Sequence, residues 1–302
     1  KEMYSWIDQG GNHLTLKPES TASVVRAFNQ HNFANINKIN RFYYINSLFR
    51  RERPQKGRFR QFEQFGVEAI GSDFPEQDVE IISMAYYFYE HMKVNDLKLK
   101  LNSIGSLKTR KKYKKLLYGF LMDYKKELTE VSKKRLKTNP LRILDTKIDF
   151  EKNIIKKAPK IIDYLDAEDK EHFETILNYL DKLNIKYEID NSLVRGLDYY
   201  SRTVFEIHSG LLGAQAALCG GGRYDYLIEE LGGKPTPAIG FAAGIERLII
   251  AMDKKDHDFE EKPDIYIITL GEDAVKYSLN IIKELRLKNN LNVISDTLGR
   301  NL

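Results

Sequence analysis

The chain has 302 residues, 42% hydrophobic and 30% charged, with a net charge of +5. That balance describes a soluble globular protein with room for two or three domains, and no run approaches the ~20 apolar residues a membrane helix needs. One cysteine, Cys219, excludes an internal disulfide and a cysteine-built zinc site; six histidines are scattered without ligand spacing, and a reducing cytoplasm fits.

Residues 1–28 read as a short strand pair running through Leu14-Thr15-Leu16 into a helix that starts near Thr21. Glu19 and Thr21 stand at that junction, where a carboxylate and a hydroxyl can cap the helix or hold a ligand. Phe42 to Phe49 is aromatic and β-branched, and Gln61 to Ile70 alternates between two faces, so both read as strands. Between them, residues 50–60 carry six cations (Arg50, Arg51, Arg53, Lys56, Arg58, Arg60) against one anion, Glu52, with Pro54 and Gly57 as punctuation. On the second strand Phe62, Gln64, Gly66, Glu68 and Ile70 share a face. Gln64 and Glu68 stand about 13 Å apart at roughly 3.3 Å per residue, and Gly66 leaves a gap between them. A polar group, a gap and a carboxylate suit a small polar ligand. An exposed sheet face beside a solvated arginine-rich turn accounts for the same residues.

Residues 77–93 form a helix with Val79, Ile82, Ala85, Tyr86 and Tyr89 toward a core, and Leu97 to Ser103 alternates as a strand. From Ser106 to about Asn184 the chain turns helical and basic, broken at Asn139-Pro140 and Ala158-Pro159. Within it, residues 108–137 hold twelve Lys/Arg against three Asp/Glu, a footprint shared by nucleic-acid surfaces and by solvated lysine-rich helices. The sheet resumes at Tyr187-Glu188-Ile189, at Thr203 to His208, and at the glycine-rich run Cys219 to Asp225. Gly240 and Gly244 precede a helix from about Ile245 to Met252, which puts Arg247 in its first turn. The helix dipole disfavours a cation there, and an anionic ligand would resolve the conflict. Residues 254–263 read as a charged linker ending in Pro263. After it, a strand (Asp264 to Leu270), a helix (Ala274 to Leu287) and a strand (Leu291 to Ser295) make one βαβ unit, too little to cover both faces of a parallel sheet. With Lys1 in place of an initiator methionine, the chain reads as a fragment lacking material at both ends. Neither GxxxxGK[ST] nor GxGxxG occurs, so a nucleotide would have to be held by arginines and glycine-lined strands.

The run Phe-Arg-Arg-Glu-Arg-Pro-Gln-Lys-Gly-Arg-Phe-Arg-Gln-Phe, residues 49–62, resembles motif 2 of class II aminoacyl-tRNA synthetases, and in particular its histidyl-tRNA synthetase version. Leu193-Val194-Arg195-Gly196-Leu197-Asp198-Tyr199-Tyr200 resembles the histidine-specific signature of that family, and Gly240 to Leu248 resembles class II motif 3. With the block Leu16 to Thr21 ahead of them, the motifs stand in family order and span nearly the whole chain. Lys17 and Ser20 depart from the usual Arg and Gly, and Asn46-Ser47 from Gly-Pro.

The resemblance implies an α+β fold: an antiparallel class II sheet flanked by helices, a helical insertion, and the start of a C-terminal α/β domain. The expected divisions are 1–105 (catalytic, first part), 106–186 (insertion), 187–255 (catalytic, second part), 256–263 (linker) and 264–302 (truncated anticodon-binding domain). It implies histidine–tRNA ligase activity through a histidyl-adenylate, using ATP with Mg²⁺ and tRNA(His), in a homodimer whose motif 1 would precede Lys1. By the same resemblance Glu19, Thr21 and Gln64 hold the amino acid's α-groups, Glu68 and Tyr200 bind the imidazole, and Tyr199 lies beside it. Arg50 contacts the α-phosphate and carboxylate, Arg195 approaches the α-phosphate from the opposite side, and Arg58 and Arg247 serve ATP. Arg53 and Gln55 sit where they could meet the tRNA acceptor end, and no metal is held by the protein alone. Two other readings share the fold: the regulatory paralogue of ATP phosphoribosyltransferase, and a non-catalytic RNA-binding pseudoenzyme. Arg50, Arg195, Tyr199, Tyr200 and Arg247, all intact, argue against the first. Arg195 and Glu19, retained, argue against the second.

Overall fold

A computed structural model of the chain describes residues 3–194, 199–215, 217–252 and 262–298. Two compact units are present, Lys1–Asp253 and Lys254–Leu302.

The first unit opens with a hairpin of β1 (Ser5–Ile7) and β2 (His13–Thr15), followed by α1 (Thr21–Gln30). Then β3 (Asn40–Phe49) and β4 (Gln61–Ile70) pair antiparallel over all ten residues, from Asn40 opposite Ile70 to Phe49 opposite Gln61. Next come α2 (Pro75–His91) and β5 (Leu97–Ser103). Proline at the first turn of α2 costs no hydrogen bond, so the helix starts two residues earlier than its apolar spacing suggested. The helical stretch carries α3 (Leu107–Asp123), α4 (Glu130–Thr138), α5 (Leu141–Leu144), α6 (Asp149–Ile155) and α7 (Ala167–Lys182). After it run β6 (Tyr187–Ile189), β7 (Ser201–Ser209), β8 (Ala217–Arg223), α8 (Leu227–Glu230), β9 (Ala238–Gly244) and α9 (Ile245–Ala251). Seven strands form one sheet in the order β3-β4-β9-β8-β7-β5-β6, antiparallel except for β5 with β6.

Alternation divides this sheet into two unlike faces. Leu99, Leu101, Phe205, Ile207, Phe241 and Ala243 point into the main core, where Val79, Ile82, Ala85 and Tyr89 of α2 meet them. Phe173, Ile176 and Leu180 of α7 join the same core, so the last helix of the basic stretch packs with the sheet. A second core gathers Tyr113, Leu117 and Leu121 of α3 with Leu144, Ile154 and Val204. The opposite face of the central strands carries glycines and polar side chains.

One ion pair locks α2 to the end of β8. Arg223, fully buried, donates from Nε to Asp78 (2.7 Å) and from its two terminal nitrogens to the carbonyls of Ser72 and Phe74, and it pairs with Asp225. His172 of α7 faces the other Asp78 oxygen at 3.4 Å. Burial alone would push Asp78 up, but Arg223 and then His172 outweigh it and hold the carboxyl below its ordinary value. Asp78→Asn leaves the buried guanidinium with Asp225 as its remaining carboxylate, and chemical denaturation should show a loss of about 1.5–3 kcal/mol, that of a hydrogen bond to a charged group. The stabilisation is present above an ordinary carboxylate pKa of about 3.9 and is lost as the pH falls through Asp78's lower folded value.

In the second unit, β10 (Ile265–Ile267) and β11 (Val293–Ser295) pair in parallel through α10 (Glu272–Lys288). This is the βαβ unit read from the sequence. Most of the expected linker, 256–263, lies outside the described residues.

Candidate active site

The glycine-lined face of the sheet forms the floor of a cleft of about 1010 Å³. Gly220, Gly240 and Gly244 line it from below, and Arg50, Arg58 and Arg247 supply cations. Glu19, Thr21, Gln64, Glu68, Tyr199 and Tyr200 line it too, so twelve sequence-predicted residues minus Arg53, Gln55 and Arg195 converge on one cavity. Arg195 lies outside the described residues. Arg53 and Gln55 are exposed in the loop, where Gln55 pairs with Arg58 through the backbone (3.0 and 2.9 Å).

Glu68 is the centre of the deep end. Its side chain is 1% exposed and accepts from the Thr21 hydroxyl at 2.8 Å and the Tyr224 hydroxyl at 2.6 Å. Burial pushes its carboxyl up to about 8; the two hydroxyls oppose that shift, and Glu19 adds to it. A Cβ on Gly240 would overlap the Glu68 carboxylate, which therefore rests directly on that backbone. The gap expected at Gly66 does not exist as such. Tyr44, its partner across the β3–β4 pair, puts its phenol where a Gly66 side chain would stand. Only the strand register brings that ring there.

Glu19 accepts from the α1 backbone: Ala22 N–H donates to both carboxylate oxygens at 3.1 and 3.2 Å. Burial raises its pKa, against those backbone donors and nearby Arg50. Thr21 serves as a hydrogen-bond donor to Glu68 rather than as a helix cap. Tyr199 packs at a tilt against Tyr200 (4.8 Å) and edge-on to Tyr224 (5.9 Å), closing an aromatic wall.

At the other end, Arg50 Nε holds the Pro18 carbonyl at 2.9 Å while its guanidinium lies 4.9 Å from the centre of the Phe62 ring. Arg58 pairs with Glu52. Arg247 donates to the carbonyls of Gly57 (2.9 Å) and Ala217 (2.7 Å), fastening the basic loop to β8. These carbonyls meet much of the demand that placed an anion beside Arg247. Its pKa is nonetheless lowered, by burial first and then by Arg58 and Arg50. Three cations pressing on one another leave a site that a polyanion would relieve. Such residues would fit ATP: the glycines would let a flat base approach the strands, and the arginines would meet phosphates.

Sequence reading missed four participants. Tyr224 was recoverable, since Gly220, Gly222 and Tyr224 share one face of a strand-like run. Tyr44 needed the register. Glu206 and His208, hydrogen-bonded at 2.7 Å, also line the cleft, and no spacing in the sequence singles them out.

A mostly antiparallel sheet, with a strand–basic loop–strand hairpin arching over a glycine floor and a carboxylate at its deep end, defines a class II aminoacyl-tRNA synthetase core. The chain belongs to the histidyl-tRNA synthetase family, whose profile matches residues 1–248. It is 47% identical over 286 residues to the histidine–tRNA ligase of Ruthia magnifica, covering 94% of this chain and 68% of the relative. To that of Halothermothrix orenii it is 46% identical over 304 residues, covering 100% and 72%. Apo histidyl-tRNA synthetase of S. aureus is similar in structure, with TM-score 0.81 and 37% identity over 99% of this chain and 73% of that one.

Proposed function

We infer that the chain is a histidine–tRNA ligase that activates histidine with ATP and then transfers it to tRNA(His). The observation that carries this reading is Glu68 at the closed end of a cleft whose open end is cationic. A histidine with its ring toward Glu68 points its carboxylate back toward Arg50. There the carboxylate oxygen attacks the α-phosphorus of ATP and pyrophosphate leaves. Arg50 orients both anions and stabilises charge developing on the phosphate, while Arg58 and Arg247 hold the remaining phosphates. Mg²⁺ would arrive with ATP and neutralise its phosphates. Arg195, by its place in the histidine signature, is assigned to the α-phosphate from the far side. The 3′-terminal hydroxyl of the tRNA then attacks the adenylate carbonyl and AMP leaves.

We further assign the helical stretch 106–186 to an inserted domain, 264–302 to part of an anticodon-binding domain, and the working form to a cytoplasmic homodimer. Charging of tRNA(His) with labelled histidine tests the reading; absence of histidyl-tRNA beside an active relative would refute it.

The basic loop carries more cation than ATP uses. Arg51, Arg53 and Lys56 are exposed. Arginine and glutamine make paired hydrogen bonds to base edges, which lysine cannot copy. Replacing Arg53 and Gln55 together by alanine should spare pyrophosphate exchange and slow transfer, by about 1–3 kcal/mol for each lost base contact. Acceptor-end variants of the tRNA report it: the double variant should discriminate among them less.

A further inference from the structure

We propose that Glu68 and the ring of the bound amino acid hold one proton between them, so that the pocket selects its ligand by proton count as well as by shape. This deepens the reading of the site as a histidine pocket and rests on it.

The geometry carries the inference. Glu68 is almost fully buried at the deep end of the cleft, and the groups facing it are Thr21 and Glu19 at the start of α1, Tyr44 on β3, the backbone of Gly240 on β9, Tyr224 after β8, and Tyr199. All are neutral or acidic. Among the described residues no Lys, Arg or His forms an ion pair with it, and a bare carboxylate in such a place is costly. Both hydrogen-bonding neighbours are hydroxyls, which donate to a carboxylate and can turn to accept from a carboxylic acid. Glu68 can therefore change its protonation without orphaning a partner. Its oxygens together offer about four lone-pair sites, of which two are taken, leaving room for a ring N–H.

Proton bookkeeping follows. In the free protein near neutrality Glu68 keeps its proton, as its elevated carboxyl indicates, and free imidazole is mostly neutral. On binding, that proton stays in the pair, on the acid or passed to the ring, and none enters from solvent. Below about pH 6.5 the free ring carries a second proton that must leave. Above Glu68's own titration the free pair has none, and one must be taken up. Histidine affinity is then bell-shaped in pH, falling up to ~tenfold per unit on each side.

Calorimetry of histidine binding in two buffers of different ionisation enthalpy reads this exchange. At about pH 9.5, well above Glu68's titration, the parent should take up close to one proton more than Glu68→Gln, in which the ligand's own α-amino group titrates equally. Equal uptake overturns proton sharing. A second variant, Tyr224→Phe, removes a donor that favours the carboxylate, so the midpoint of alkaline uptake should move to higher pH. An unmoved midpoint assigns the proton to another group and overturns the proposal, even if Glu68→Gln binds no histidine. Failure of the parent to bind histidine at neutral pH would overturn the histidine reading itself, a result distinct from binding without the alkaline uptake.

Discussion

Arg50→Ala is expected to lower histidine-dependent pyrophosphate exchange by about 10²–10³-fold, the usual effect of losing one preorganised group that stabilises transition-state charge. Arg50 is fixed on two sides, by the Pro18 carbonyl and by the Phe62 ring, so little reorganisation is needed when charge develops beside it. Its neighbour Arg247 is tied to two backbone carbonyls and cannot swing in to replace it. Arg50→Lys should recover only part of the loss, because an ammonium is a point charge and cannot span two oxygens. Single-turnover adenylate formation separates this from weakened binding: the rate at saturating histidine and ATP should fall. A rate within a few-fold of the parent would make Arg50 a structural link between the hairpin and residue 18.

Glu68→Gln should weaken histidine about 10–100-fold at neutral pH while leaving ATP within a few-fold, as expected for loss of a hydrogen bond to a charged or proton-sharing group. ATP's cations lie at the far end of the cleft and do not touch this carboxyl. Equilibrium binding of each ligand alone checks the split. Stability gives a second readout. A carboxyl whose folded pKa is raised stabilises the fold below its unfolded value, about 4.3, and loses that contribution as the pH rises to about 8. The variant should therefore lose part of the decline in stability that the parent shows between those limits. Equal losses for histidine and ATP would mark Glu68 as a packing residue.

One strand that carries the site was legible by its alternation, whereas β9, Ala238–Gly244, was not, because its small residues carry no two-faced pattern. Gln61 to Ile70 is a strand with the bounds its pattern gave, and Gln64 and Glu68 both reach the cleft. The βαβ unit near the end was readable in element order, though its strands are shorter than expected, Ile265–Ile267 and Val293–Ser295. What local pattern could not give was anything set by register or by partners distant in sequence. Tyr44 fills the space at Gly66 only because residue 44 pairs with residue 66. The Asp78–Arg223 lock joins positions 145 residues apart, and nothing around either announces the other. α7 read as part of a basic helical stretch, yet Phe173, Ile176 and Leu180 bury one stripe of it in the main core. The place of Arg247 in the first turn of its helix was visible in sequence, and the carbonyls of Gly57 and Ala217 that hold its guanidinium were not.

The amino-acid dependence of ATP–pyrophosphate exchange tests the central claim most directly. With each of the standard amino acids supplied in turn, histidine alone should drive exchange, and Glu68→Gln should abolish that preference before it abolishes ATP binding. Exchange driven equally by another amino acid, or no response to histidine from a protein that binds ATP, would contradict the account.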